Sequence, residues 1–229
     1  MGRLDGNDQR LASGVGARGS LTAGHRPLAT VLTLAAVLLA PPARAQGSGA
    51  TAPEGPLSVS VTAGAGVPSG DVFRDVYGSA LVPVVGQVDL RIGTSGFGVF
   101  GGLRWVSVSG EAVVENSSEP GGERVKFTMT SWRVGPAWGV QRGPWRFGAG
   151  AGLAYNSYRE EWESARLSIE DSGIGAMFQG NVERRLTRRL SALLRVEYSL
   201  FEADPPEDTG LGSVALGGID IGGGVAIRF

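Results

Sequence analysis

From Leu57 to Phe229 the chain repeatedly alternates apolar with small or polar residues, one for one. In an extended chain successive side chains point to opposite sides, so this period of two predicts β-strands with one greasy face and one small or polar face. The first run, "LSVSVTAGAGV", places Leu57, Val59, Val61, Ala63 and Ala65 against Ser58, Ser60, Thr62 and Gly64. The same arrangement recurs seven times. Val82, Val84, Val88, Leu90 and Ile92 oppose Gln87, Asp89 and Arg91, and Phe97, Val99, Leu103 and Trp105 oppose Gly98, Gly102 and Arg104. Thr130, Trp132, Val134, Trp138 and Val140 oppose Ser131, Arg133, Gly135, Ala137 and Gly139. Trp145, Phe147, Leu153 and Tyr155 stand against Arg146, Gly148, Gly150, Gly152 and Asn156. A sixth run sets Ile174, Ala176, Phe178 and Val182 against Met177, Gln179, Asn181 and Glu183, and a seventh sets Leu190, Leu194, Val196, Tyr198 and Leu200 against Ser191, Arg195, Glu197 and Ser199. The eighth, "GGIDIGGGVAIRF", puts Ile219, Ile221, Val225, Ile227 and Phe229 opposite Asp220, Gly222, Gly224, Ala226 and Arg228.

Connections between the runs alternate in length. Those around residues 67–79, 109–123, 159–171 and 203–212 are long, whereas "GTSG", "RGP" and "RLTR" are tight. Long loops at one end and short turns at the other are the signature of an up-and-down barrel. The expected fold is therefore all-β, an eight-stranded antiparallel up-and-down transmembrane β-barrel over residues 57–229. Pro136 lies inside the fourth run, where it cannot donate a ladder hydrogen bond, and predicts a bulge or break. Pro83 lies near a strand end.

The segment before the barrel has a different character. Arginines 3, 10, 18 and 26 precede the apolar run Leu28–Ala40, and "PPARAQ" follows with Ala43 and Ala45 in the small-x-small pattern of a signal-peptidase site. Residues 1–45 are read as a signal peptide cleaved after Ala45, because the apolar run is shorter than the roughly 20 residues a spanning helix needs. The Gly/Pro-rich stretch 46–56 is read as a flexible leader. Cleavage removes five arginines and two aspartates and leaves 16 basic against 20 acidic side chains, a net charge of −4. That balance argues against nucleic acid as a partner. It also removes His25, the one histidine, from a chain that has no cysteine.

Two barrels fit an alternating pattern behind a signal peptide. A soluble lipocalin-like carrier would turn its apolar face inward around an apolar ligand and carry Trp132, Trp138 and Trp145 inside. A membrane barrel turns the same face to lipid. The polar face is rich in glycine, alanine and serine, which suits a narrow filled lumen. Aromatics of the apolar face gather near strand ends, with Phe97, Trp138, Trp145, Phe147 and Phe229 by the short turns and Trp105, Tyr155 and Tyr198 towards the long loops, as two membrane-interface belts would require. The ending "VAIRF", with Val225, Ile227 and Phe229 alternating, resembles the C-terminal assembly signal of bacterial outer-membrane β-barrels. The chain as a whole resembles their small eight-stranded members, of the OmpA/OmpX type. The resemblance implies a Gram-negative outer-membrane location, contact with its lipids, and recognition of the last strand by the barrel assembly machinery. It fixes no task, since one architecture serves several.

Charges on the inward face invite pairing. Arg104, Arg133, Glu197 and Asp220 lie at similar heights and are expected to meet at mid-lumen, with Asp89, Arg91, Arg146 and Glu183 forming a lower group. A structural plug is the simplest use of such a network, and a gated ion path, making the protein a narrow porin-like channel, is the functional alternative. The long connections carry many carboxylates, which are expected to form a mobile, solvated crown where an extracellular ligand would bind. They match no metal-binding spacing. No catalytic residue, cofactor or metal site is expected, because no imidazole or thiol remains to activate a nucleophile. The expected role is structural or one of surface interaction.

Overall fold

A computed structural model describes residues 55–112, 123–163, 167–203 and 213–229. The proposed signal peptide and almost all of the leader lie outside these residues. The strands are β1 (Leu57–Pro68), β2 (Val84–Arg91), β3 (Phe97–Ala112), β4 (Glu123–Arg142), β5 (Trp145–Trp162), β6 (Leu167–Arg185) and β7 (Leu190–Leu200), then two short ones, β8 (Glu202–Ala203) and β9 (Val214–Ala215), and finally β10 (Gly218–Arg228). Among the described residues one short helix, α1 (Asp71–Tyr77), follows β1.

Eight of these strands close into one antiparallel barrel in the order β1-β10-β7-β6-β5-β4-β3-β2. The last strand closes it. β10 pairs with β1 from Ser58↔Arg228 to Pro68↔Gly218, and the Phe229 backbone N–H donates to the Leu57 carbonyl at 2.9 Å. The terminal aromatic is thus part of the ladder, with its ring on the outside. In the lower part of the wall the apolar face points outward: Trp132 and Val134 are each 62% exposed and Ile174 72%, while Ser58, Ser60, Thr62, Gln87, Ser131 and Gln179 are buried inside. Trp132 and Trp138, two of the three tryptophans that an apolar carrier would turn inward, both face out.

Pro136 breaks the ladder without a bulge. Val134 pairs with Leu153 and Ala137 with Gly150, so two residues are skipped on each strand and the register is unchanged. On its other side Pro136 stays opposite Val99 in β3. Removing a donor costs one rung, and neither strand needs an extra residue to accommodate it.

The wall is uneven in height. β3, β4, β5 and β6 have 16, 20, 18 and 19 residues, against 12, 8, 11 and 11 in β1, β2, β7 and β10. A bilayer takes about 9–11 residues per tilted strand, so these four strands continue past it by roughly eight residues, on the order of 20 Å along the barrel axis. Much of what the sequence presents as the loops 109–123 and 159–171 is therefore strand. Glu160, Glu161, Glu170 and Asp171 sit in paired β5 and β6, with Glu160↔Ile169 and Arg159↔Glu170 as partners.

In this projecting part the two faces exchange character. Up to Trp105, Trp132, Tyr155 and Ile174 the outside is apolar. Beyond them Ser109, Glu111, Arg124, Lys126, Ser157 and Arg159 point out, and Val106, Val125, Phe127, Met129 and Tyr158 point in. The inversion fits a wall that leaves hydrocarbon and enters water, where apolar side chains are stable only on the inside.

Candidate functional site

The lumen is filled in two tiers. The lower and middle tier is ionic. Arg104 donates from Nε to Asp220 Oδ2 at 2.6 Å and from Nη2 to Oδ1 at 3.2 Å, a two-point pairing across the barrel between β3 and β10. Arg133 in β4 donates through Nη1 to Glu197 in β7, and Arg228, the penultimate residue, donates through Nη2 to Glu183 in β6. The four charges expected at mid-lumen are present as two separate pairs.

Asp89, Arg91, Arg146 and Glu183 do gather near the short-turn end, where Glu183, Arg91, Arg228 and Asp89 all act on Arg146. Asp89 Oδ1 also accepts a 2.8 Å bond from Gln87 Nε2. Two lumen arginines are missing from the sequence-based set, Arg195 and Arg228. Their signal is their phase: each lies on the same face as a carboxylate in that set, Glu197 in β7 and Asp220 in β10.

Large inward side chains require small ones opposite. The Phe100 ring, 1% exposed, lies over Gly150 and Gly152 of β5; a Cβ on Gly152 would stand 3.0 Å from that ring and 2.3 Å from the Val134 carbonyl oxygen. The glycines of the polar face thus make room for an aromatic and for guanidinium groups in a narrow tube.

The upper tier is apolar. Helix α1 lies against the inside of the tall wall, with Phe73 edge-on to Phe127 at 4.8 Å between centroids and Phe127 stacked on Tyr158 at 5.7 Å. Leu81, Val106, Met129, Phe201, Ala203 and Leu216 complete the cluster. Apolar residues 73, 76 and 77 of α1 follow helical spacing, which is why this segment leaves the strand pattern. The helix is seated closely: a Cβ on Gly110 of β3 would lie 2.2 Å from the Val76 carbonyl oxygen. Gly110→Leu is expected to lift α1 off the mouth while leaving the barrel closed, seen as faster amide exchange in residues 71–77 with unchanged protection in β10.

One acid lies under this cap. Glu160 points inward from β5 towards the Tyr77 hydroxyl and the Trp162 indole N–H, both close enough to affect its ionisation. Neither of these buried donors closes a hydrogen bond of ordinary length. Burial holds the Glu160 carboxyl above the usual carboxylate range, the two donors opposing it. Burial first, then the charge of Glu160, pushes the Tyr77 phenol up; burial with Asp171 and Glu160 brings Tyr158 up to about 12. A carboxyl raised on folding is most compatible with the folded cap when protonated, so the cap loses stability as pH rises from the unfolded value through the raised one. Glu160→Gln is expected to remove that dependence, giving α1 the same exchange protection at pH 5 and pH 8, where the parent protein is better protected at pH 5.

The aromatics of the apolar face lie on the outer wall. Phe97, Trp105, Trp138, Phe147, Tyr155, Tyr198 and Phe229 are exposed on the outer wall, and Trp145 lies beneath the Arg184 guanidinium, 5.5 Å from its ring centre. Val225 and Ile227 also face out. Among the described residues no three acidic side chains converge as a metal site would require.

Solved structures share this architecture. The chain is similar to Neisserial surface protein A, with a TM-score of 0.54 at 11% identity over 78% of this chain and 100% of that one. It is also similar to the outer membrane protein OprG from Pseudomonas aeruginosa, with a TM-score of 0.56 at 11% identity over 77% and 96%. The chain has the fold of the small eight-stranded outer-membrane barrels. A major outer membrane protein from Thermus thermophilus shows the same barrel at a TM-score of 0.50 and 15% identity, over 76% of this chain and 98% of that one. No protein-family model matches the chain, and no curated protein sequence does.

Proposed function

We propose that the protein is an integral outer-membrane barrel whose closed, ion-paired body is an anchor and whose projecting β3–β6 wall is the surface it offers to the exterior. The observation that carries this reading is the inversion of faces at Trp105, Trp132, Tyr155 and Ile174: a sheet that is apolar outside below this line and apolar inside above it is built for lipid and then for water. Two tiers of packed side chains fill the lumen, which supports a non-conducting, non-enzymatic role. The mature chain also lacks histidine and cysteine. Any specificity belongs to the outward polar residues of the projection and the connections above it, including the acidic ones, because these meet the exterior.

The absence of cysteine makes the topology easy to test. With a membrane-impermeant maleimide on intact cells, Ser157→Cys is expected to label, Leu153→Cys to remain unlabelled, and Thr94→Cys in a short turn to label only after permeabilisation. Equal labelling of all three in a soluble fraction would overturn the reading. For the surface role, cells carrying the full chain are expected to adhere to host surfaces better than cells whose residues 113–122 are replaced by a short Gly-Ser turn. Equal adhesion would leave an anchor without a contact role.

A further inference from the structure

The two ends of the barrel carry opposite charge. Residues 89–98, 140–147, 183–191 and 225–229 form the three tight turns, the strand ends beside them and the end of the last strand, and they hold eight arginines against Asp89 and Glu183. Both acids face the lumen, where Asp89 accepts from Gln87 and Glu183 from Arg228. The tall end is the reverse: residues 69–80, 106–131, 156–173 and 201–217 hold fifteen acidic side chains against five basic ones. Every basic residue at the short-turn end is an arginine, in a chain whose one lysine is Lys126.

Most of these guanidinium groups are engaged. Arg228 is committed to Glu183, Arg184 lies over the Trp145 ring, and Arg91 and Arg185 have partners of their own. Arg146 lies inside, among Glu183, Arg91 and Arg228. Arg142, Arg188 and Arg189 are different: they are exposed, form no ion pair among the described residues, and lie in or beside turns without any acidic side chain.

The aromatic belt fixes the level of these three. Phe97, Trp138, Phe147 and Phe229 are exposed on the outer wall at this end, where hydrocarbon gives way to headgroups. Arg142 is on the outward phase of β4, two residues past Val140 and opposite Trp145 in the ladder. The Arg228 backbone N–H donates to the Arg189 carbonyl at 2.9 Å, which brings the turn holding Arg188 and Arg189 beside the last strand, next to Phe229. The three charges therefore stand just beyond the belt, where lipid phosphates lie. Arginine suits that partner, because its planar fork meets a phosphate at two points and never loses its charge.

We infer that this rim binds anionic phospholipid headgroups of the phosphatidylglycerol class in the leaflet at the short-turn end, through Arg142, Arg188 and Arg189. The inference rests on the membrane reading above and names the lipid that the wall selects. The acidic end is repelled by the same headgroups, so the two ends discriminate between leaflets by charge.

The test uses the mature protein with Trp105→Phe and Trp132→Phe, so that lipid-facing emission comes from Trp138 and Trp145, refolded into vesicles of brominated phosphatidylcholine, brominated phosphatidylglycerol or their mixtures. Quenching by either lipid reports contact with the wall, and its dependence on composition gives the preference for one headgroup. A preference for phosphatidylglycerol of about threefold or more is expected at low ionic strength, falling towards one in about 0.5 M salt as exposed charges are screened. Arg142→Gln, Arg188→Gln and Arg189→Gln together are expected to abolish it while the heat-dependent band shift is kept. Quenching by both lipids without preference would overturn the proposal and point the rim at a soluble acidic partner, with the membrane reading intact. An undiminished preference in the triple variant, or one that salt does not reduce, would also overturn it. Absence of quenching by either lipid would overturn both the proposal and the membrane reading. If the triple variant does not fold, the parent's preference and its salt dependence decide the matter.

Discussion

Replacing Arg133 by methionine is expected to destabilise the barrel by about 3–5 kcal/mol, and replacing Glu197 by methionine as well to recover most of that loss. The Arg133 and Glu197 side chains are 1% and 3% exposed and joined directly. Removing one partner leaves a bare charge in the lumen, whereas removing both leaves a space that two unbranched apolar side chains fill. A domain stable by about 5–15 kcal/mol survives the single change only marginally. Urea titration of the detergent-refolded protein, followed by the shift of the folded band on unheated gels, reads both variants. Strictly additive losses in the double variant would mean that Arg133 and Glu197 are not coupled and that the lumen is wetter than its geometry indicates.

The second large effect concerns the outer face. Leu153→Arg is expected to cost about 1–2 kcal/mol in a bilayer, because Leu153 lies on the lipid side one outward position below the Tyr155 ring, between the midplane and the interface. Ser157→Arg, four residues further along the same face and beyond the aromatic ring of Tyr155, is expected to be nearly neutral. The pair separates membrane from water by a single element. Similar small effects at both positions would place the entire strand in water. The comparison belongs in lipid vesicles, since detergent relaxes around an introduced charge.

Both expectations rest on facing, and facing is the part of the fold most legible in the sequence. Strict alternation from Leu57 to Ala65 and from Ile219 to Phe229, with tight turns at "GTSG", "RGP" and "RLTR", is sufficient for eight strands and their order. It is insufficient at the top of the barrel, where the period stays two but the phase slips. Leu103 and Trp105 are outward, yet Val106 and Val108 are one residue out of step and face in; Val125, Phe127 and Met129 are likewise out of step with Trp132 and Val134. A search for one continuous apolar face stops at the slip and assigns the rest to loops. Glu161 and Glu170 reinforce that error, because carboxylates on a strand's wet face look like loop composition, and the inward Glu160 beside them reads the same way.

The ionic lumen is legible by type more than by partner. Arg104, Arg133, Glu197 and Asp220 are recognisable as inward charges, but which arginine meets which acid depends on the stagger of strands around the barrel, and no single strand encodes it. Counting heights from the short turns places the four together, while the structure divides them between Asp220 and Glu197 as separate acceptors. Arg195 and Arg228 are easily passed over, since each shares its strand with a more obvious acid. Helix α1 leaves a trace in Phe73, Val76 and Tyr77, a spacing that a search tuned to period two does not detect.

The central claim is that this closed tube spans a membrane with its apolar face to lipid. Fractionation of cells expressing the full chain, followed by electrophoresis of the outer-membrane fraction with and without boiling, tests it most directly. The protein is expected in that fraction as a band whose mobility changes on heating, because a hydrogen-bonded barrel stays folded in detergent until heated. A soluble periplasmic product with no heat-dependent shift would contradict the account and place the apolar face in water.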